Sequence, residues 1–243
     1  IAEFVDGIFV TLTGSKKEIK EAEVVCEEFN ASVSYNNPQW TVTEEAYKWL
    51  SNYLGYKPFL KVGEKLFLFD KARNFNFSQV PQDYTWILWL DTDDVFIDGK
   101  DLWKLREIGD QANIDAISLD YIYRATLDKK GKIRDVLIKH IKERVVRNGV
   151  FKWVAPVHEV LVASKPTIKT VLEDCKVLHL ADFDHIQNSI NRNIKNLEFA
   201  LYKSGGKDPR YIYNLAKAYC DKRTIEFSDK AFPLIQKFLW GKN

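Results

Sequence analysis

The first part of the chain alternates short apolar runs with an amphipathic stretch. Residues 8–12 form a β-branched and apolar run that ends at the turn-prone residues 13–15. Apolar side chains then recur with helical spacing on one face, at Ile19, Ala22, Cys26 and Phe29. Residues 32–35 predict the next strand. A strand, helix and strand of this length favour a parallel sheet with a right-handed crossover, so the predicted fold class is α/β.

An acidic segment follows the most apolar run of the chain. Residues 84–90 (YTWILWL) are too few and too continuously apolar for an amphipathic helix, and they predict a central buried strand. Asp91, Thr92, Asp93 and Asp94 follow directly. Open α/β sheets bind ligands beyond the carboxyl ends of their strands, and carboxylates there suit Mg or Mn when a diphosphate supplies further ligands. The alternative is an ordinary acidic turn that caps the next segment.

Further elements are predicted along the rest of the chain. Thr43 is placed to cap a helix over 43–53, and the Gly- and Lys-rich stretch from there to residue 69 would form an inserted subdomain. Residues 116–123 predict a strand. Asn148-Gly149 predicts a hairpin that joins 136–147 to 150–154. From residue 183 the pattern becomes helical, with caps predicted at Asp208-Pro209 and at Ser228 and a break at Gly205-Gly206.

Composition narrows the class of protein. The 36 Lys and Arg nearly balance the 34 Asp and Glu, and a net charge of +2 disfavours binding to nucleic acid or to an anionic membrane. The three cysteines are widely spaced and predict a reducing, cytoplasmic compartment. No stretch is long and apolar enough to span a membrane, which predicts a soluble protein. The chain has no Met, even at position 1, which suggests that N-terminal residues are missing.

Several motifs resemble family 2 glycosyltransferases with a GT-A fold. The first two are KARNF at 71–75 and WILWLDTDD at 86–94. The resemblance continues through IKERVVRN, FKWV, VHE and VLH, at 141–148, 151–154, 157–159 and 177–179. It implies a Rossmann-like mixed sheet flanked by helices over residues 1–182. The region 183–243 would be a small helical appendage similar to the start of a tetratricopeptide-like array, and it would provide an oligomer contact.

The resemblance also implies a metal site and a donor site. Asp93 would coordinate Mn or Mg together with His179, and Asp91 would hold the donor's ribose or a metal-bound water. Arg73 would lie beside the nucleotide and pyrophosphate, because a guanidinium group matches phosphate oxygens. The alternatives are a surface arginine for Arg73 and a core residue for His179.

Two arginines and a tryptophan complete the predicted donor site. Arg147 and Arg144 would neutralise the phosphates, although alternating charges on a hairpin usually form only its solvated face. Trp153, at the end of the predicted hairpin, would contact the donor or acceptor sugar.

Glu159 is the candidate catalytic base. Inverting transfer needs a carboxylate to take the proton of the acceptor hydroxyl as its oxygen attacks the anomeric carbon. Asp94 and Asp120 are rival bases, and the alternative for His158-Glu159 is a solvated loop after Pro156.

The predicted function is metal-dependent, inverting transfer of a sugar, as in hexosyltransferases, from a nucleotide-sugar donor, by default a UDP-sugar. The acceptor would be a carbohydrate, a protein or a cell-envelope component.

Two alternatives to this function remain. One is a catalytically silent GT-A-like binding or assembly protein, favoured by Leu12 where the family has an acid that contacts the base. The other is a nucleotidyltransferase, which normally carries a Gly-rich phosphate loop that this sequence lacks. The family's first strand would precede Ile1.

Overall fold

The computed structural model describes residues 3–97, 102–109, 113–180 and 183–241. It is a mixed α/β structure with a five-stranded mixed sheet, flanking helices and a helical C-terminal region. The chain divides into two compact units. Unit 1 contains Ile1–Asn36, Arg73–Trp153 and Leu161–Ala181, and unit 2 contains Asn37–Ala72, Val154–Val160 and Asp182–Asn243. The last segment of unit 2 begins at the predicted domain boundary, but its other two segments fall inside the predicted first domain.

The opening of the chain is the predicted strand, helix and strand. β1 (Phe9–Leu12) and β2 (Ser32–Tyr35) pair in parallel, and α1 (Lys16–Glu28) connects them. Ser15 caps this helix in a capping box with Glu18, which satisfies backbone donors that the first turn leaves free. The prediction of a strand, a helix and a parallel strand at the start of the chain is therefore confirmed.

The five-stranded sheet of unit 1 has β7 at its centre. Its strand order is β5, β8, β7, β11, β6. The strands are β5 (Trp86–Leu88), β6 (Asp94–Ile97), β7 (Ala116–Leu127), β8 (Ile133–Arg147) and β11 (Lys169–His179), and α4 (Leu102–Gly109) lies between β6 and β7 in the sequence. β7 pairs antiparallel with β8 and parallel with β11. Residues 84–90 were predicted to form a central strand. Only Trp86–Leu88 (β5) are in a strand, and this strand lies at an edge of the sheet.

The Asn148-Gly149 turn does not form the predicted hairpin. Gly149 has a positive φ of 75°, but β9 (Phe151–Val154) pairs with β10 (Val160–Ala163) rather than with β8. The long hairpin of this unit joins β7 to β8 through residues 128–132. Asn148 instead donates its side-chain amide to the carbonyls of Pro81 and Tyr84, at 3.0 Å each, which fixes the turn against the start of β5.

Unit 2 is built mainly from helices. Its helices are α2 (Glu44–Leu54), α5 (Phe183–Lys203), α6 (Pro209–Asp221) and α7 (Ile225–Trp240), and β3 (Gln39–Thr41) pairs with β4 (Lys65–Phe67). Thr43 and Asp208 cap α2 and α6 as predicted. The third cap was predicted at Ser228, but α7 begins one turn earlier, after Thr224. The helix α3 (Phe69–Gln79) contains the boundary between the units.

A buried carboxylate holds the core of unit 2 together. Glu198 on α5 is fully buried and accepts hydrogen bonds from the backbone amides of Phe59 and Leu60, at 2.8 and 2.9 Å, and from the hydroxyl of Tyr219. Burial raises the pKa of Glu198 despite these donors. The surrounding core is apolar and includes Leu50, Leu60, Ile194, Leu197, Leu215 and Leu234. Among the described residues, no helix has the length and apolar character that crossing a bilayer requires.

Candidate functional site

The acidic residues after β5 form a tight turn. The backbone amide of Asp94 donates to the carbonyl of Asp91 at 3.0 Å, and the amide of Asp91 donates to the Asp94 carboxylate at 3.2 Å. Asp94 then begins β6, which runs antiparallel to β11 with Asp94 opposite His179. The amide of Leu180 also donates to the carbonyl of Asp93 at 2.8 Å. Strand register therefore brings together residues that are far apart in the sequence.

Asp93, Asp94 and His179 form a compact ligand cluster. The imidazole Nδ1 of His179 lies 3.2 Å from Asp94 Oδ1 and 3.5 Å from Asp93 Oδ1. One ligand atom from each residue lies within 4.8 Å of the other two. The side chain of Asp93 is 35% exposed, whereas that of Asp94 has no exposed surface. The cluster is thus anchored on a buried acid and opens toward solvent through Asp93.

Asp94 is the most heavily bonded member of this cluster. Its Oδ1 accepts from the hydroxyl of Tyr121 at 3.1 Å and faces His179, and its Oδ2 lies 2.9 Å from Arg144 Nη1. Burial opposes ionisation of Asp94, but the contacts with His179, Arg144 and Tyr121 outweigh it and hold its pKa below the usual value. A carboxylate that remains ionised, buried and bonded in this way is poorly suited to collect a proton, which weighs against Asp94 as a catalytic base.

Arg144 is fully buried, which excludes the alternative that it lies on the solvated face of a hairpin. Its guanidinium lies between two aromatic rings, 4.0 Å from the centroid of Trp89 and 4.3 Å from that of Tyr121. The pairing of β7 with β8 shifts register beside Arg144, and an extra residue in one strand redirects side chains at such a bulge. The bulge explains why a polar position in an apparently alternating strand points inward.

His179 is fixed by an acid on one side and an aromatic ring on the other. The Tyr123 ring stacks on the imidazole with a centroid distance of 5.3 Å and an interplanar angle of 10°. The hydrogen bond with Asp94 is the main reason that the pKa of His179 is raised, with burial opposing it. A raised pKa means that protonation of His179 stabilises the fold fully below its ordinary pKa of about 6.5 and no longer does so once the pH exceeds the raised value.

Arg73 lies at the acidic turn as predicted, and it already has a partner there. Its Nη2 is 2.5 Å from Asp91 Oδ1, and its guanidinium carbon is 5.3 Å from the Trp89 ring and 4.9 Å from the Trp153 ring. Asn74, the next residue on α3, accepts from the backbone amide of Trp153 and donates to its carbonyl, both at 2.8 Å. The side chain of Trp153 is therefore a buried platform for Arg73, and only 5% of the residue is exposed.

Two other candidates are not brought to the acidic turn. Arg147 pairs across the strands with Trp86, at the opposite end of β5, and donates to the carbonyl of Ile114. Asp120 is 5% exposed and forms an ion pair with Lys139 at 3.0 Å. Because Asp120 is buried and already paired with Lys139, it is a less suitable rival base than the sequence suggested.

Glu159 belongs to unit 2, where it is half-buried immediately before β10. Burial lowers the pKa of Arg192 on α5, and the negative charge of Glu159 offsets part of that lowering. Ala155 and His158 have positive φ values of 87° and 52°. Non-glycine residues adopt this conformation at a cost, and such strain is concentrated at functional sites. The loop 154–160 therefore contains two residues in a strained backbone conformation.

Two residues around the cluster, Tyr121 and Tyr123, were missed from the sequence, and so was the buried position of Arg144. The first two stand two apart on β7, so they share a face of the sheet at the end where the acidic turn lies. Their spacing was available in the sequence. The buried position of Arg144 was not, since it depends on the bulge.

The donor set at the cluster fits a divalent cation. Two carboxylates and an imidazole form a mixed oxygen and nitrogen set, which suits Mn²⁺ or Zn²⁺ better than Mg²⁺, because Mg²⁺ prefers oxygen ligands. The structure adds Asp94 to the two predicted ligands, Asp93 and His179. Asp94 and Asp91 are each paired with an arginine, so Asp93 contributes the negative charge that these arginines do not neutralise.

A search against protein-family models found no match, and none of the curated proteins matches the sequence. The functional assignment therefore depends on the residues themselves.

The roles of Asp93 and Asp94 can be distinguished by the stability of the protein when each is changed to alanine. Asp94→Ala should lower the free energy of unfolding by about 3–5 kcal/mol, because it leaves the buried Arg144 charge unpaired. Asp93→Ala, at a partly exposed position, should change it by about 0.5 kcal/mol or less. Chemical denaturation of both variants and the wild type measures this. Because the pKa of Asp94 is lowered, its contribution is complete at neutral pH and lost only as the pH falls from about 4 toward that lower pKa. Equal stability of the two variants at pH 7 would contradict the buried ion pair.

Proposed function

We propose that this chain is a metal-dependent, inverting glycosyltransferase with a GT-A fold, which transfers a sugar from a nucleotide-sugar donor. The observation that carries the proposal is the cluster of Asp93, Asp94 and His179 beside the Arg73–Asp91 pair. A cation ligand set and a guanidinium thus lie at one strand end, where α/β proteins bind ligands. The motifs KARNF, WILWLDTDD and VLH, which resemble family 2 glycosyltransferases, contribute these residues.

Each residue at this end of the sheet has a chemical task in the proposed reaction. Arg73, supported by the rings of Trp89 and Trp153, would donate to phosphate oxygens of the donor, a UDP-sugar by default. Asp91 would then exchange its contact with Arg73 for a ribose hydroxyl. Asp93, Asp94 and His179 would hold the cation, for which we propose Mn²⁺, and this cation would stabilise the negative charge of the leaving nucleoside diphosphate.

Glu159 would serve as the base of the transfer. The acceptor oxygen forms a bond to the anomeric carbon while the bond from that carbon to the diphosphate oxygen breaks. The hydroxyl proton passes to Glu159, and the electron pair of the broken bond leaves with the diphosphate. Arg192 on α5 interacts electrostatically with this carboxylate in unit 2.

A specific observation also favours the silent-module alternative. Asp91 and Asp94 are both neutralised by arginines, so little negative charge is left to attract a cation. A protein that retained the fold but not the activity would show such internal pairing. The two proposals differ in whether Asp93 binds a metal and whether Glu159 supports turnover.

The metal-binding step can be tested on Asp93. Asp93→Ala should weaken Mn²⁺ binding, measured by isothermal titration calorimetry, by about 100-fold or more, because it removes the exposed carboxylate of the cluster. Binding of UDP in the presence of Mn²⁺ should fall with it, since the diphosphate and the acidic turn repel each other without a cation. Asp83→Ala, at an exposed acid before β5, is the matched control and should bind Mn²⁺ like the wild type. Unchanged Mn²⁺ affinity in Asp93→Ala would show that the site is elsewhere.

The base can be tested without a known acceptor. Glu159→Gln preserves shape but cannot take up a proton, so it should leave donor binding intact and reduce release of nucleoside diphosphate by about 10²–10⁴-fold. Slow hydrolysis of candidate nucleotide sugars provides the assay. Equal release by the wild type and Glu159→Gln would exclude Glu159 as the base. Absence of release from every donor, with Mn²⁺ bound, would favour the silent module.

A further inference from the structure

A two-stranded arm extends from the sheet of unit 1. β7 pairs with β11 only as far as Ile122, and beyond this point β7 continues to Leu127 paired with β8 alone. β8 returns from Ile133, and its other edge pairs with β5 only from Val145 onward among the described residues. We call residues 123–142 the basic arm. Nearly every residue in it is exposed.

The basic arm exposes an unusual number of large apolar side chains. Five aliphatic residues in it are between 38% and 58% exposed: Leu127, Val136, Leu137, Ile138 and Ile141. Near the tip, the strand register places Val136 beside Ala125 and Ile133 beside Leu127, and side chains two apart on a strand share a face. The tip therefore has an aliphatic face that no other described part of unit 1 covers. Clustered exposed apolar residues mark interaction surfaces.

Positive charge is concentrated in the same segment. Residues 123–142 contain seven Lys and Arg and two Asp, an excess of five positive charges. Since the whole chain has a net charge of +2, the rest of it carries an excess of three negative charges. Two of the seven have acidic partners, Lys139 with Asp120 and Arg134 with Asp135, but Lys129, Lys130 and Lys132 lie exposed at the turn. The near-neutral net charge of the chain therefore conceals a strongly basic arm.

We propose that the basic arm binds an anionic lipid surface. Lysines and arginines near such a surface each contribute about 1 kcal/mol of attraction, and aliphatic side chains beside them can enter the boundary between headgroups and acyl chains. Nucleic acid would match the charge but not the aliphatic face, because single strands bind to positive grooves lined with aromatic rings. A second copy of the arm would bring like charges together. The lipid surface is the partner that satisfies both features.

The position of the arm gives this binding a consequence for the candidate site. Tyr123, the first residue of the arm, stacks on His179 of the ligand cluster. The arm therefore projects from the end of the sheet that carries the proposed metal site, and a lipid-linked or membrane-bound acceptor would be the substrate class best placed to reach that end. This consequence depends on the proposed function, whereas binding of the arm to lipid does not.

Vesicle flotation tests the proposal directly. The whole protein is mixed with vesicles of phosphatidylcholine alone or with one quarter of the lipid replaced by phosphatidylglycerol. We expect binding to the anionic vesicles only, weakened by added salt. Changing Lys129, Lys130 and Lys132 to Glu should reduce the partition coefficient by about 100-fold or more. Leu137→Asp, at an exposed aliphatic position, should also reduce it without altering the fold.

Two matched controls separate the arm from general charge effects. Changing Lys16, Lys17 and Lys20 on α1 to Glu makes the same change in net charge on another exposed surface, and Val171→Asp places an acid at an exposed aliphatic position on β11. Both should bind vesicles like the wild type.

The proposal is overturned if wild-type protein does not float with anionic vesicles, or if the arm variants float as well as their controls. Lysine-dependent binding to single-stranded RNA without vesicle binding, or self-association that Leu137→Asp abolishes, would assign the arm to those partners instead. Failure of Mn²⁺ binding with intact vesicle binding would affect only the proposed enzyme function.

Discussion

The ion pair between Arg144 and Asp94 constrains the structure around the candidate site. Neither side chain has exposed surface, and separating two such charges in a protein interior costs several kcal/mol. The rings of Trp89 and Tyr121 enclose the guanidinium from two sides, so the pair has little freedom to move. Since Asp94 begins β6 and contacts residues of β7 and β11, this pair fixes the end of three strands relative to one another.

The same pair determines what the neighbouring residues can do. With Asp94 held by Arg144, and Asp91 held by Arg73, the partly exposed Asp93 is the acid of the turn best placed to acquire a new ligand. His179 is oriented by Asp94 and by the Tyr123 ring, which leaves it directed at the two carboxylates. A cation site requires ligands that are held in place before the ion arrives. The buried ion pair provides this rigid support for the accessible carboxylate of Asp93.

Sequence patterns predicted the local elements well and the tertiary relationships only in part. The opening strand, helix and strand and the caps at Thr43 and Asp208 follow from local chemistry, and they are present. The neighbouring positions of Asp93 and His179 were implied by family resemblance. The buried position of Arg144 was not predictable, because it depends on a bulge in the pairing of β7 with β8.

The same limitation explains two further differences. The Asn148-Gly149 turn was predicted as a hairpin, but the choice of strand partner is a long-range property that a two-residue signal does not determine. The net charge of the chain likewise gave no indication of the basic arm. It is a sum over all residues, and the excess of positive charge in the arm is offset by an excess of negative charge in the rest of the chain. Local signals predicted which residues turn or pair, and the sheet topology decided which of them meet.

The most direct test of the account is the position of Mn²⁺ in a crystal of the protein grown or soaked with the ion. Anomalous diffraction should show a peak in contact with Asp93, Asp94 and His179, with the His179 nitrogen about 2.0–2.3 Å away, and the Arg144–Asp94 pair should remain intact beneath it. A structure in which Mn²⁺ is absent from these three side chains at millimolar concentration, or is bound elsewhere, would contradict the central claim.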